Sequence, residues 1–383
     1  MNSMVNQIFS LPELIKESLP EFDKRVKTVL GTDLCGRKRH IFIVGCGDSH
    51  HAALNTEMAF ESLSGLQVEP LTAMQFARFG VGYIPRDDLD KTMCIGVSAS
   101  GEVARTIEAI QLANKAGIDT VAITANTNSQ LASISDRTLV SAVSPFPDPP
   151  DIHTPGIRSF TASQLMLFLM AIHFGQMNSA LDVEKALKLK AEIEDIALAC
   201  QKTIELCEGI SYSLAQNMHG ADDFVFVGCG PNYGTALFLA AKIIESCGDP
   251  ALGQDTEEWA HLQYFVEKAN TPTFIISTGG RDLSRSSEIA IAAKTIGHRV
   301  ISISPHSSET LNQTAYARLP YADRIRECFS PMVSVIPGEL FAAYRAEIIG
   351  AKYFRDFGGG RSREEGGGIS RIRSSQLISE FPE

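Results

Sequence analysis

Positive charge is in the minority. The 383-residue chain carries 34 Lys and Arg against 45 Asp and Glu, a net charge of −11. Such a surface repels phosphodiester backbones and anionic bilayers, which argues against a nucleic-acid partner or a membrane partner. It leaves room for a small phosphorylated ligand, because helix N-termini and backbone amides bind phosphate without net positive charge. No apolar run reaches the ~18 residues of a membrane span. The longest candidate, Leu165 to Phe174, is too short and is interrupted by His173. The start, Met1-Asn2-Ser3-Met4-Val5, has neither the basic region nor the apolar core of an export signal. The eight cysteines (Cys35, Cys46, Cys94, Cys200, Cys207, Cys229, Cys247 and Cys328) show no CxxC pair and no His/Cys zinc spacing. They read as reduced, mostly buried thiols of a cytoplasmic protein, and neither a metal nor a cofactor is expected.

What the chain does have is an ordinary globular composition, 44% hydrophobic and 21% charged, which rules out wholesale disorder. Its length fits two domains. Short apolar runs alternate with helical stretches. Ile41 to Val44 reads as a strand, His50 to Leu63 as a helix ended by Gly65, and Thr92 to Val97 as a buried strand. A helix from about Glu102 to Ala116 stops at Gly117, and Thr120 to Thr124 is a third strand. Ser159 to Phe174 is a largely apolar helix, and Leu181 to Leu214 a polar helical connector. This alternation predicts an α/β fold with parallel sheets and helices on both faces.

The pattern then begins again: strand Phe224 to Val227, helix Thr235 to Cys247, strand Thr273 to Ser277, helix Leu283 to Ile296, strand Arg299 to Ser304. Val44-Gly-Cys-Gly47 recurs as Val227-Gly-Cys-Gly230, an offset of 227 − 44 = 183, and Glu61-Ser62 as Glu245-Ser246, an offset of 245 − 61 = 184. Two copies of one α/β unit are expected. The organisation is an N-terminal helical segment (1–37), a first unit (38–178), a helical connector (179–215), a second unit (216–357) and a C-terminal tail (358–383). Ile369, Ile372 and Leu377 are the residues able to tie down that Gly/Arg-rich tail.

Ser98-Ala99-Ser100-Gly101-Glu102 follows a buried strand and opens a helix. A phosphate cradle needs outward-pointing amides, short hydroxyl side chains and a helix N-terminus, and this turn offers all three. Gly45-Cys46-Gly47-Asp48-Ser49 is a similar turn after the first strand. Ligands of open parallel sheets bind at these carboxyl ends. At the matching place in the second copy, Ser277-Thr278-Gly279-Gly280-Arg281 keeps a turn but not the Ser-x-Ser-Gly-Glu pattern. One copy is read as the phosphate holder and the other as free for a different task.

These residues resemble the sugar isomerase (SIS) domain family of phosphosugar-binding proteins, as two tandem flavodoxin-like three-layer domains over nearly the whole chain. Cys46-Gly47-Asp48-Ser49, Phe60-Glu-Ser-Leu-Ser-Gly65 and Ser98-Ala99-Ser100-Gly101-Glu102 are similar to segments in the isomerase half of glucosamine-6-phosphate synthase. The resemblance implies phosphate binding by Cys46, Gly47, Ser49, Ser98, Ala99, Ser100 and the segment to Val103. Two departures stand out: Asp48 and Val103 each replace a hydroxyl residue. Lys242-Ile-Ile-Glu245 and His261 match the family's Lys-x-x-Glu and His, with 261 − 245 = 16 residues between Glu and His. By resemblance Glu245 moves a proton between C1 and C2, Lys242 stabilises the enediolate oxygen, and His261 opens the sugar ring from the neighbouring subunit of a homodimer. Thr154 and Arg158, in the segment from Asp151 to Phe160, stand where the family contributes to the substrate site, whereas His153 reads as a loop residue. Arg371 is the candidate from the tail.

The synthase's N-terminal glutaminase is not expected here, since residue 2 is Asn and the pattern starts by residue 41. Its tail lysine is also missing, the last lysine being Lys352. Arginine stays protonated and forms no imine. The resulting expectation is an enzyme that is not glutamine-dependent, a deaminase or deglycase releasing an amine and a hexose 6-phosphate from an amino-sugar or ketosamine 6-phosphate. The alternative is a non-catalytic sugar-phosphate-binding regulatory protein.

Overall fold

A computed structural model of the chain describes residues 2–149, 152–354 and 375–380. The described residues group into two compact units. One holds Leu14–Pro145, Arg158–Glu194 and residues 375–380; the other holds residues 2–13, 146–149, 152–157 and 195–354.

The first unit carries five strands, β1 (His40–Gly45), β2 (Gln67–Thr72), β3 (Thr92–Val97), β4 (Asp119–Thr124) and β5 (Arg137–Val140), in the order β2-β1-β3-β4-β5. Every pairing is parallel. The second unit repeats this with β6 (Phe224–Val227), β7 (Ala251–Gln254), β8 (Pro272–Ile276), β9 (Arg299–Pro305) and β10 (Ala317–Tyr321), in the order β10-β9-β8-β6-β7, again all parallel. Matched strand for strand, the two topologies are the same 2-1-3-4-5 winding of the flavodoxin-like fold.

Central strands are continuous apolar runs because helices cover both faces of the sheet. β3 (TMCIGV) and β8 (PTFII) are buried at every position. On one face of the first sheet, Phe42, Val44 and Cys94 pack with Phe76, Ile107, Ile110 and Leu112. The second sheet's counterpart core joins Val225, Val227, Ile275 and Trp259 with Ile289 and Ala290.

Helix ends follow the glycines. The Asp48–Ser64 helix closes on Gly65 and the Ala104–Ala116 helix on Gly117, both left-handed. The Arg158–Met177 helix is buried along nearly its whole length. His173 sits inside it, its Nε2 donating to the Leu30 carbonyl at 2.7 Å, and burial lowers its pKa. The connector is one long helix, Val183–Asn217. Among the described residues all eight cysteines are free, and Cys35, Cys94, Cys200, Cys207 and Cys328 are buried. No described helix is long and apolar enough to cross a membrane.

Candidate functional site

β1 and β3 run side by side, Val44 opposite Gly96, so the turns that follow them open along one edge of the first sheet. The chain's crossovers diverge there, β2 lying beyond β1 on one side and β4 beyond β3 on the other. Open parallel sheets bind ligands at such switch points. Gly45 must lack a side chain, because the next helix folds back on it and a Cβ would lie 2.8 Å from that of Ser49. The Gly47 carbonyl accepts from the amides of His50 and His51 at 2.9 and 3.0 Å. Cys46 receives the Thr106 hydroxyl at 3.9 Å. Burial pushes its thiol pKa up, with the Thr106 contact pulling the other way.

The second turn is held from below. Ser98 is buried; its amide donates to Ile123, and its hydroxyl and carbonyl both accept from the Gly101 amide, at 3.2 and 3.0 Å. Gly101 has φ +69°, and a Cβ there would lie 2.1 Å from Ser129 Oγ. Only glycine meets both conditions. The Ser100 hydroxyl accepts from the Glu102 amide at 3.3 Å. Glu102 accepts from the Gln130 amide at 3.1 Å. Among the described residues none accepts from the amides of Ala99, Ser100 or Val103. The turn therefore presents open amides and the exposed Ser100 side chain ahead of a 13-residue helix. That is the chemistry of an anion cradle. Asp48 brings a negative charge to the first turn of its helix, and its Oδ1 lies 4.0 Å from His51 Nδ1. Val103 caps its helix without a side-chain hydrogen bond.

In the second unit, Lys242 and Glu245 lie one turn apart on the Tyr233–Cys247 helix and form a direct ion pair. The Lys242 ammonium is wholly buried, 4.6 Å above the Phe238 ring, whereas Glu245 is 27% exposed. Burying an ammonium is costly unless it is paired, so the lysine holds the carboxylate in place. His261 is not part of that cluster. It is 67% exposed, and its Nε2 lies 3.2 Å from Glu257, which in turn grips Arg285 at 2.7 and 2.9 Å.

The remaining candidates are scattered. Arg158 opens its helix and donates to the Ser144 carbonyl at 2.8 Å. The Thr154 hydroxyl is buried without a described partner. Arg371, with Ile369 and Ile372, lies outside the described residues. Leu377 packs, with Ile378, against the first unit's core. Sequence reasoning missed what holds this segment. Glu108 is fully buried, takes Arg78 at 2.8 Å and Arg105 at 2.6 Å, and accepts the Ile378 amide at 2.9 Å. Burial would raise its pKa, but hydrogen bonds from Arg78 and Ile378 and the two guanidinium charges outweigh that and lower it. Arg105 also donates to the carbonyls of Ser375 and Gln376 at 3.2 and 2.6 Å. The one sequence signal was a glutamate set between Ile107 and Ile110 on an apolar helix face. Among the described residues no group of three His, Cys, Asp or Glu side chains offers a metal site.

Residues 36–174 match the family model described as the SIS domain. This stretch is a SIS domain. Beyond this stretch, the second sheet repeats the same strand order. The chain is 25% identical over 347 residues to the glutamine–fructose-6-phosphate aminotransferase (isomerizing) of Gloeobacter violaceus, covering 90% of this chain and 55% of that protein. The chain thus spans about half the length of such curated relatives. The C-terminal domain of glucosamine-fructose-6-phosphate aminotransferase from Francisella tularensis superposes with a TM-score of 0.78 at 18% identity, over 91% of this chain and 97% of that one. Glucosamine-6-phosphate deaminase from Thermotoga maritima gives 0.67 at 19% identity, over 91% and 95%. These structural likenesses bear out the fold, two flavodoxin-like α/β domains with parallel sheets.

Proposed function

We propose that this double-SIS chain is an aldose–ketose isomerase-type enzyme that acts on an amino-sugar or ketosamine 6-phosphate and releases the amine and a hexose 6-phosphate. The observation that carries this reading is the Lys242–Glu245 pair, a fully buried ammonium fixing a carboxylate that stays partly open. The buried lysine restrains the carboxylate while leaving it reachable, which a positioned general base needs. The open amides of the Ser98–Val103 turn supply the phosphate anchor.

The roles follow from the chemistry. Glu245 takes the carbon-bound proton, the electron pair moves toward the neighbouring carbonyl, and the proton returns one carbon away. Lys242 offsets the charge that develops on oxygen. In a nitrogen-bearing sugar this shift places the double bond on the carbon that carries nitrogen. The resulting imine adds water and splits into hexose phosphate and free amine. His261, exposed and next to exposed Leu262 and Phe265, is assigned to ring opening in the site of a second subunit. Thr154 and Arg158 are assigned to the sugar.

A panel of 6-phosphorylated aminosugars and ketosamines, assayed for released ammonia or amino acid and for hexose phosphate, identifies the substrate. On that substrate Glu245→Gln should lower turnover by ~10²–10⁴-fold, the usual contribution of a general base, with ligand affinity little changed. Exchange of the C1/C2 hydrogen with heavy water should vanish with it. Near-normal turnover in Glu245→Gln would sink the mechanism. Mixing Glu245→Gln with His261→Ala subunits should restore part of the activity, because hybrid dimers contain one intact set of groups. No recovery after demonstrated subunit exchange counts against sharing.

A further inference from the structure

The second copy's turn is already occupied by the protein's own carboxylate. Six residues separate β3 from its following helix (98–103) and six separate β8 from its helix (277–282), so Asp282 stands at the cap position that Val103 holds in the first copy. Instead of facing outward, Asp282 folds back over the turn. It is 7% exposed, and its two carboxylate oxygens accept from the Thr278 amide at 2.9 Å and the Thr278 hydroxyl at 2.6 Å. Thr278 matches Ala99, whose amide has no described acceptor. The next two amides are also taken within the turn: Gly279 donates to Ser277 Oγ at 3.0 Å and Gly280 to Thr278 Oγ1 at 3.2 Å. Glu327 adds a second carboxylate, 3.2 Å from the Thr278 hydroxyl and 2.8 Å from Arg281. From below, Tyr321 donates its hydroxyl to the Ser277 carbonyl at 2.8 Å.

We infer that Asp282 is a built-in substitute for phosphate, and that it confines phosphate binding to the first copy. A carboxylate resting on the first amide of such a turn makes the charge-assisted hydrogen bonds that a bound anion would make. It also repels any anion that approaches, since like charges close together at a protein surface oppose each other. Gly279 further removes the hydroxyl that Ser100 provides in the first copy. The second turn is therefore kept as a rigid support for its unit and not as a vacant ligand site.

The comparison rests on the reading of Ser98–Val103 as the phosphate turn, but the measurement separates the two. Backbone amide resonances of the full chain are followed during titration with inorganic phosphate. In the wild type, Ser100 and Gly101 should shift while Thr278 and Gly279 stay still. In Asp282→Ala, Thr278 and Gly279 should shift too, with a dissociation constant about tenfold or more below that of the same turn in the wild type. A double variant, Asp282→Ser with Glu327→Gln, keeps a hydroxyl cap on the helix while removing both carboxylates, and covers the case in which Asp282→Ala does not fold. Phosphate-dependent shifts of Thr278 in the wild type would overturn the inference. So would still resonances in every folded variant. A silent Ser100 strikes the phosphate-turn reading alone, and Thr278 still decides the role of Asp282.

Discussion

The two α/β copies share a strand order and differ in which polar groups they leave open. The first keeps an open turn: Ser98 supports it, the Ser100 side chain is exposed, and the amides of Ala99 and Val103 have no described acceptor. The second closes the matching turn on Asp282. The reverse holds on the helix after the first glycine turn. There the second copy has Lys242 and Glu245, while the first has Met58 at the lysine's place and an exposed Glu61. Neither copy carries both halves. After duplication each fold needs to keep only what its own half contributes, and polar groups without a ligand are better satisfied internally than left open. Asp282 does this for the second turn.

The sharpest way to break the comparison is at glycine. Gly101→Ala forces a positive φ on alanine and drives its Cβ to 2.1 Å from Ser129 Oγ. Affinity for a sugar 6-phosphate should fall more than a hundredfold, about 2.8 kcal/mol at 1.4 kcal/mol per tenfold. Gly230→Ala has a similar φ of +53° but nothing within 4 Å, so it should cost stability, ~1–2 kcal/mol of left-handed strain, and spare binding. Isothermal titration beside thermal unfolding reads both. Retained affinity in folded Gly101→Ala removes the turn from the site.

Ser100→Ala is the milder probe. A hydrogen bond to a charged group is worth ~1.5–3 kcal/mol, about tenfold to a hundredfold in affinity. Ser277→Ala, which removes a hydroxyl from the second copy's turn, should leave affinity unchanged. Equal losses from the two variants would contradict the division of labour.

The smallest expected effect concerns Glu57, which has Ala241 at its matching place in the second copy. Burial, then the charges of Glu61 and Glu69, push its carboxyl pKa up to about 7. A folded-state pKa above the unfolded value favours the protonated form, so the penalty is absent below about pH 4.5 and grows as pH rises through about 7. Glu57→Gln should leave the melting temperature unchanged near pH 4.5 and raise it at pH 8. Discounted for a partly exposed group, the gain is ~1 kcal/mol, on the order of 1–3 °C. A pH-independent difference would refute the assignment.

Much of this was legible in the chain itself. The central strands β1, β3, β4, β6, β8 and β9 are apolar runs, and the glycines at 65 and 117 end helices where expected. The edge strands β2, β5, β7 and β10 went unread. β2 (QVEPLT) and β10 (ARLPY) contain proline, tolerated at a sheet edge where one face of the ladder is unpaired. β7 (ALGQ) is only four residues long. Half-covered strands need no continuous apolar run, so periodicity is silent about them.

The local pattern determined which residues could serve. Ser98, Ser100, Lys242 and Glu245 were visible because strand-to-helix turns and helical spacing are short-range properties. What tertiary structure decided is which of those groups are open. Asp282 could have been an outward helix cap, and only its fold-back onto Thr278 closes the second turn. Glu108 could have been a solvated helix glutamate, and only the meeting of Arg78, Arg105 and Ile378, up to 270 residues away, buries it and holds the chain's end. Whether a polar group is spent or available depends on its partners in space, and a sequence records those only as distant letters.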